Sequence, residues 1–288
     1  MWRALEAHWR EYVLEAVLLG CFMLSASSFT VLLEHPSSPV RQAIDSPVLR
    51  RVFMGCAMGL TAVTIIYSPW GRRSGAHINP ATTLTFLRLG RVGPQDAVFY
   101  VGAQFAGAVC GMLLAAQLLR SWIAAPSVNF VSTQPGMRGT AVAFAAELII
   151  SCVLVVCVLR SNASPRLRTY TGLVAGGLVA TFIVVEAPLS GMSMNPARSL
   201  APALVAAQWT AVWVYFIAPP LGMLIGAQIH LRHGRGRICA KMRPHAPGEA
   251  CHFCEWADRR DDARRPLSVD APPLSRAAAG VQRETVVG

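Results

Sequence analysis

The tripeptide Asn-Pro-Ala occurs twice in this chain, at residues 79–81 and 195–197, and the copies stand 116 residues apart. Each copy sits at a break in an apolar run and opens a short apolar stretch, residues 81–89 and 197–207, about half a membrane span long. Proline suits the first turn of a helix, and the preceding asparagine is a good N-cap. The pattern predicts two half-helices, which are expected at membrane depth only where they line a polar cavity. Ordinary loop caps would explain one copy, but two copies in matching context favour a pore.

The composition is that of a polytopic membrane protein, since 53% of the 288 residues are hydrophobic, only 14% are charged, and the mean hydropathy is +0.43. The first apolar run is too long for a cleaved signal sequence and is interpreted as a retained span. The net charge of +11 comes from arginines in loops and in the tail. The positive-inside rule and anionic lipid headgroups account for this charge, so no nucleic-acid partner is expected.

Six stretches are long enough to cross a bilayer of about 30 Å. They cover Tyr12–Leu33, Val48–Pro69, Gln95–Leu119, Thr140–Leu159, Tyr170–Ala187 and Trp209–Leu231. Three spans and a half-helix, followed by the same again, predict an all-α membrane protein with two inverted repeats. The predicted domains are a cytoplasmic N-terminus (1–10), a channel domain (11–232, with repeats at about 11–120 and 139–232) and a largely disordered cytoplasmic tail (233–288).

Polar residues within the apolar spans support the duplication. Glu15 in the first span matches Glu147 in the fourth, and Gln104 in the third span is paired with Gln228 in the sixth. Small residues spaced at three or four predict close helix crossings. They are Gly102, Ala106, Gly172, Gly176, Gly222 and Gly226.

The distribution of arginine favours both termini in the cytoplasm. Arginines flank the first half-helix and fill the connection between the fourth and fifth spans, on the side of both termini. Fewer arginines lie on the opposite side of the membrane. The arginine bias and the compact loops suggest residence in a bacterial inner (plasma) membrane.

The chain resembles the aquaporin and aquaglyceroporin (major intrinsic protein) family over residues 10–232, and is interpreted as a bacterial member. The resemblance is carried by Ser-Gly-Ala-His-Ile-Asn-Pro-Ala at residues 74–81 and Ser-Met-Asn-Pro-Ala-Arg-Ser at residues 193–199. It implies the aquaporin-like fold, a homotetramer in the lipid bilayer, and a structural role for Glu15 and Glu147, which in this family hold the backbone N–H groups of the two loops.

The motif residues themselves suggest how a pore would select. Asn79 and Asn195 would meet at the midplane with their amide donors in the lumen. There, the positive ends of two helices would orient the oxygen of each passing water molecule and repel cations. The motifs are completed by Pro80, Ala81, Pro196 and Ala197. Arg198 is costly inside a membrane segment and is expected to narrow the pore and exclude cations. His77 either lines the cytoplasmic vestibule or is a packed loop residue.

By resemblance, the selectivity filter consists of Met58, Ile183, Met192 and Arg198. This set lacks both the histidine of typical water-selective members and the aromatic pair of typical glycerol channels. Two thioethers and an isoleucine give an apolar rim with one polar corner, which favours small amphipathic solutes. Ser199, where glycerol channels typically carry aspartate, points instead to water channels.

The tail carries a cluster of metal-ligating residue types. A Cys-x-x-Cys pair, a third cysteine and a histidine could supply a zinc site. They are Cys239, His245, Cys251 and Cys254. A thiol switch and a plain unstructured tail are the alternatives, and no cofactor is expected in the channel itself.

The sequence favours a passive channel for water and small neutral solutes that excludes protons and ions. A glycerol- or urea-type facilitator with little water flux is the first alternative. An ion-coupled secondary transporter also uses inverted repeats, but no coupling carboxylate is left if Glu15 and Glu147 are structural. The residues show no catalytic set, so no enzyme is expected.

Overall fold

The computed structural model describes residues 2–233, 238–245 and 251–263, and no strand occurs among them. The longer helices are α1 (Trp2–Glu34), α2 (Pro47–Tyr67), α3 (Pro80–Arg88), α4 (Pro94–Leu119), α5 (Thr140–Ala163), α6 (Thr171–Val185), α7 (Pro196–Val205), α8 (Val212–His233) and α9 (His252–Ala263). Shorter α-helices cover Pro39–Ala43, Pro69–Ser74 and Ala187–Ser190, and 3-10 turns cover Arg120–Trp122, Asn129–Val131 and Arg168–Tyr170.

Six of these helices, α1, α2, α4, α5, α6 and α8, are long and apolar enough to cross a membrane. The predicted six spans are therefore confirmed. Helix α1 begins ten residues earlier than the predicted span, at Trp2, and is kinked at His8, where φ is −126° and ψ is 15°. The sequence pattern missed these first turns because their partners lie far along the chain. The imidazole of His8, for example, bonds to Asp96 at 2.9 Å.

The helices pack as two related halves. Helix α1 packs on α4 and α5 packs on α8, while α2 and α6 join the halves. Each half-helix packs on the last span of the opposite half: α3 contacts α8 and α7 contacts α4. The two half-helices also contact each other, so they meet inside the bundle.

Helix α1 and helix α4 approach each other closely at glycines. A Cβ atom on Gly107 would lie 2.1 Å from the backbone oxygen of Ala16, and one on Gly111 would lie 2.5 Å from that of Gly20. Gly102, which the sequence assigned to such a crossing, has nothing within 4 Å of its Cβ position. That assignment is wrong, because Gly102 lies on a different face of α4 from Gly107.

We expect Gly107→Ala to destabilise the fold by about 1–3 kcal/mol, because backbone atoms of α1 must move to admit the methyl group. Thermal unfolding in detergent micelles measures the effect. Gly102→Ala in the same helix is the matched control, and should be neutral or stabilising by up to about 1 kcal/mol from helix propensity. Equal melting temperatures for the two variants would contradict the close crossing.

Part of the tail is ordered against the channel, so the prediction of a largely disordered tail is wrong for residues 238–245 and 251–263. The physical reason is burial of apolar side chains: Phe253 is 1% exposed, Ile238 is 6% exposed and Met242 is 8% exposed. Trp256 of α9 also lies against Gly93 at the start of α4. For residues 234–237, 246–250 and 264–288, which lie outside the described part of the chain, disorder stays a prediction.

Candidate pore and its tail-side cover

Both Asn-Pro-Ala motifs cap a half-helix. The side-chain oxygen of Asn79 accepts from the Ala81 N–H at 2.9 Å. The side-chain oxygen of Asn195 accepts from the N–H groups of Ala197 at 3.0 Å and Arg198 at 3.2 Å. The local sequence explains both caps. The proline at the first helical position has no N–H that needs an acceptor, and the asparagine side chain accepts from the free N–H groups that follow it.

The two asparagines also bond across the interface between the halves. The Asn79 amide donates to the Met194 carbonyl at 2.7 Å, and the Asn195 amide donates to the Ile78 carbonyl at 2.8 Å. An asparagine NH₂ group has two donors, so each amide retains a second N–H beyond this bond. Both residues line one cavity.

A buried glutamate holds each re-entrant loop. Glu15 accepts from the N–H groups of His77 at 3.0 Å and Ile78 at 2.6 Å. Glu147 accepts from those of Ser193 and Met194, both at 2.7 Å. Because each carboxylate is fully buried and bonded to the loop backbone, both residues serve as loop anchors.

The same strained backbone recurs in both loops. Gly75 (φ 104°), Ala76 (φ 53°) and Ile78 (φ 40°) in the first loop correspond to Gly191 (φ 81°), Met192 (φ 50°) and Met194 (φ 53°) in the second. A positive φ in a residue other than glycine costs about 1–3 kcal/mol, and persists only where surrounding bonds impose it. The bonds to Glu15 and Glu147 supply that constraint in the first and second loop.

Further contacts recur between equivalent residues of the two halves. The Ser74 hydroxyl donates to Glu15 at 2.8 Å, and the Ser190 hydroxyl donates to Glu147 at 2.7 Å. Tyr100 and Tyr215 each donate to the carbonyl of the serine in their own half at 2.5 Å. Sequence reasoning assigned no anchoring role to these residues, although the repeated Ser-Gly at 74–75 and 190–191 is a signal that could have pointed to the serines.

The sequence pairing of Gln104 with Gln228 is wrong. Gln104 lies four residues after Tyr100, is fully buried, and donates to Glu15 at 2.8 Å. Four residues after Tyr215 stands Pro219 instead. Gln228 accepts from Arg88 of α3 at 2.9 Å, in an exposed position. Hydropathy places each glutamine in the last span of its half, but it does not show whether the two glutamines occupy equivalent positions along those spans.

One cavity of about 430 Å³ connects the motif residues with the predicted filter. At the filter end lie all four predicted filter residues, with Met58 on α2, Ile183 on α6, Met192 in the second loop and Arg198 on α7. The Arg198 guanidinium donates to the Val131 carbonyl at 2.8 Å, which fixes it against one wall. The predicted composition of the rim, apolar with one cationic corner, is therefore present in the cavity.

At the opposite end, which we call the tail-side mouth, His77 and Met242 line the cavity. The His77 ring bonds through Nε2 to the Ala240 carbonyl at 2.5 Å and through Nδ1 to the Thr83 hydroxyl at 3.1 Å. Because a carbonyl only accepts, Nε2 carries the proton. His77 is thus both a lining residue and a packed loop residue, the two alternatives that the sequence left open.

The four tail residues predicted as zinc ligands come together beside this mouth. One ligand atom from each of them lies within 4.8 Å of all the others. They are Cys239, His245, Cys251 and Cys254. Hydrogen bonds from the thiols of Cys239 and Cys254, together with the nearby ammonium of Lys241, lower the pKa of the Cys251 thiol. The arrangement could hold one metal ion.

Comparison with known proteins agrees with this architecture. A maize protein named "Aquaporin NIP2-3" is 33% identical over 65% of this chain and 60% of its own length, and Arabidopsis thaliana "Aquaporin NIP6-1" is 37% identical over 60% and 56%. The chain thus spans less than two thirds of the length of these curated relatives. The crystal structure of the aquaglyceroporin from Plasmodium falciparum superposes with a TM-score of 0.62 at 17% identity, covering 77% of this chain and 95% of that one.

The family comparison is the most extensive of these matches. The sequence model described as "Major intrinsic protein" matches residues 2–230, which takes in five spans, all but the last three residues of the sixth, and both half-helices. The chain therefore is an integral membrane protein that belongs to the major intrinsic protein family.

Proposed function

We propose that the protein is a passive channel for water and small neutral solutes, not an enzyme. The observation that carries the proposal is the meeting of two capped half-helices, with Asn79 and Asn195 each offering a second amide donor to a single cavity. A water molecule at this point turns its oxygen toward the two donors. It then cannot accept and donate along one continuous chain, so protons are not relayed.

The same geometry disfavours ions. Two helix N-termini point their positive ends at the midplane, and a third positive charge, Arg198, lies in the filter. An ion-coupled transporter would need a carboxylate free to bind and release a cation within the pore. Glu15 and Glu147 are engaged by loop N–H groups, which argues against that role.

The filter favours a second candidate within the same class, a facilitator of small solutes with little water flux. Met58 and Met192 are flexible thioethers, and Ile183 offers no hydrogen bond. Water must lose hydrogen bonds to pass such a rim, whereas a glycerol- or urea-sized solute presents an apolar side to it and a polar side to Arg198. We propose further, from family resemblance and arginine distribution, a homotetramer in a plasma membrane with both termini in the cytoplasm.

The test is stopped-flow light scattering on proteoliposomes that contain the purified full chain. An impermeant osmolyte measures water flux, and inward gradients of glycerol and of urea measure solute flux. Each run is made with and without a membrane-permeant metal chelator, because part of the tail lies on one mouth. Flux no faster than that of empty vesicles in all of these conditions would reject the channel.

Arg198→Val is expected to broaden selectivity. The substitution removes the one charged group from the rim and frees the space that the guanidinium fills, so solute flux should rise relative to water flux and cations should begin to leak. Solute re-swelling and a pH-sensitive dye inside the vesicles measure these effects. Arg166→Val, at an exposed position, is the charge-matched control. Unchanged solute and cation permeability would remove Arg198 from the constriction.

A further inference from the structure

Two pieces of the tail form a small folded unit beside the channel. We call residues 238–245 and helix α9 together the tail clamp. Its core is formed by Phe253, which stacks on His77 with ring centroids 5.5 Å apart and contacts Tyr100 at 5.8 Å. The clamp is thus seated on the first re-entrant loop and on α4, next to the tail-side mouth.

The clamp reaches across the mouth from one wall to the other. On one side, Met242 N–H donates to the Gly75 carbonyl at 2.9 Å, and Ala240 accepts from His77. On the other side, the Asn162 amide at the end of α5 donates to the carbonyls of Cys239 at 3.0 Å and Lys241 at 3.1 Å. Asn162 also accepts from Cys239 N–H at 3.1 Å. Between the two walls, the Met242 side chain lines the cavity.

Two distances between the four ligand atoms are close to those of a tetrahedral zinc site, and all four atoms lie within 4.8 Å of one another. A zinc ion with Zn–S of about 2.3 Å and Zn–N of about 2.0–2.1 Å places two sulfurs about 3.8 Å apart and a sulfur and nitrogen about 3.6 Å apart. The sulfurs of Cys239 and Cys251 lie 3.8 Å apart, and His245 Nε2 lies 3.3 Å from the sulfur of Cys254. A disulfide needs about 2.0 Å between sulfurs, so the thiol pair is spaced for a shared metal.

The donor chemistry selects the metal. Three thiolates and one imidazole form the Cys₃His set of structural zinc sites, which are closed and four-coordinate. Cys251 and Cys254 supply the Cys-x-x-Cys knuckle at the start of α9. Three thiolates and Zn²⁺ leave one negative charge, and the buried Lys241 ammonium nearby is suited to balance it.

We propose that Cys239, His245, Cys251 and Cys254 bind one Zn²⁺ ion, and that the bound ion keeps the tail clamp closed over the tail-side mouth. The metal ties residue 239 and residue 245, at the two ends of the segment that crosses the mouth, to α9. Without the ion, the segment is held by hydrogen bonds to Gly75, His77 and Asn162 and by side-chain packing, such as that of Phe253, and loses its link to α9 through the metal. The effect on flux rests on the proposed channel function; the metal site does not.

Metal binding is tested first, without reference to transport. The full-length protein is purified, stripped, reloaded with Zn²⁺ and analysed by elemental mass spectrometry, and Co²⁺ replacement is followed by visible absorption. We expect one zinc per chain and the strong charge-transfer bands of a tetrahedral sulfur-ligated cobalt site. Cys251→Ser/Cys254→Ser should lose both signals. Cys56→Ser/Cys110→Ser, which alters two exposed cysteines within the spans, should keep them.

Closure is tested with a variant that weakens the seating of the clamp but keeps all four metal ligands. Asn162→Ala removes a wall contact but no ligand, so it should retain zinc while the amide of Met242 loses protection in hydrogen exchange. If the open state is a minor state of at most about 10%, water or solute flux in vesicles should rise about tenfold or more in this variant and on zinc removal. The Cys251→Ser/Cys254→Ser protein should conduct at the high rate with or without zinc.

Each outcome decides a part of the proposal. Absence of zinc after reloading, or a disulfide between Cys239 and Cys251 in the purified protein, would overturn the metal site. Stoichiometric zinc with identical flux in the zinc-loaded, stripped and Asn162→Ala proteins would overturn the closure. If no protein conducts, including those with an open clamp, then the channel function itself fails, and the zinc content still decides the site.

Discussion

Replacing Asn195 with leucine is expected to abolish water flux. The leucine side chain is larger than asparagine and has no donor, so it fills the point where the two half-helices meet and leaves a dry constriction there. Hydrophobic constrictions of this kind block conduction by dewetting. The variant also loses the bond to Ile78 and the cap on α7, at a cost of about 0.5–2 kcal/mol for the cap.

The measurement is osmotic shrinkage of proteoliposomes in the presence of the zinc chelator, so that the tail clamp does not limit the flux. Size-exclusion chromatography and thermal unfolding establish that the variant is folded. Thr181→Leu, which adds a leucine at an exposed position of α6, is the control and should conduct like the wild type. Wild-type flux in folded Asn195→Leu would show that the solute path does not pass Asn195.

Glu147→Gln is expected to cause the largest loss of stability. The Glu147 carboxylate accepts from Ser190, Ser193 and Met194, and all three bonds are 2.7 Å long. A glutamine keeps one acceptor oxygen but presents an NH₂ group to at least one of these donors, which is then buried without a partner. Since charge-assisted bonds contribute about 1.5–3 kcal/mol each, we expect a loss of about 3 kcal/mol or more.

Thermal or denaturant unfolding of the purified protein in micelles measures this loss. Glu6→Gln, at an exposed position of α1, makes the same chemical change without burial and should leave the melting temperature unaltered. Glu15→Gln should behave like Glu147→Gln, because the first loop has the equivalent bonds. An unshifted melting temperature in Glu147→Gln would mean that the carboxylate does not hold the second loop.

The spans and the half-helices could be predicted because they depend on local properties of the sequence. The length of an apolar run fixes whether a helix can cross the membrane, and Asn79 and Asn195 before proline fix where each half-helix begins. The filter residues were assigned by resemblance to the family, and all four line the cavity. Their effect on selectivity stays a prediction until flux is measured.

The tail and the register of polar residues could not be predicted in the same way. The ordered part of the tail is polar by sequence, and its few apolar residues find partners far along the chain: Phe253, for example, packs on Gly75, His77 and Tyr100. Gln104 and Gln228 look equivalent by hydropathy. Only the contacts of Glu15 and Arg88 reveal that they are not.

The reciprocal bonds of the two asparagines also constrain the order in which the protein folds. They join residues 115 and 117 positions apart, and each donor finds its acceptor in the opposite repeat. During synthesis, Asn79 is therefore made long before Met194 exists to accept its hydrogen bond, and until then the first re-entrant loop depends on contacts within its own half, such as those of Glu15 and Tyr100. Since each bond needs both repeats, the centre of the pore can be completed only after the second repeat has reached the bilayer.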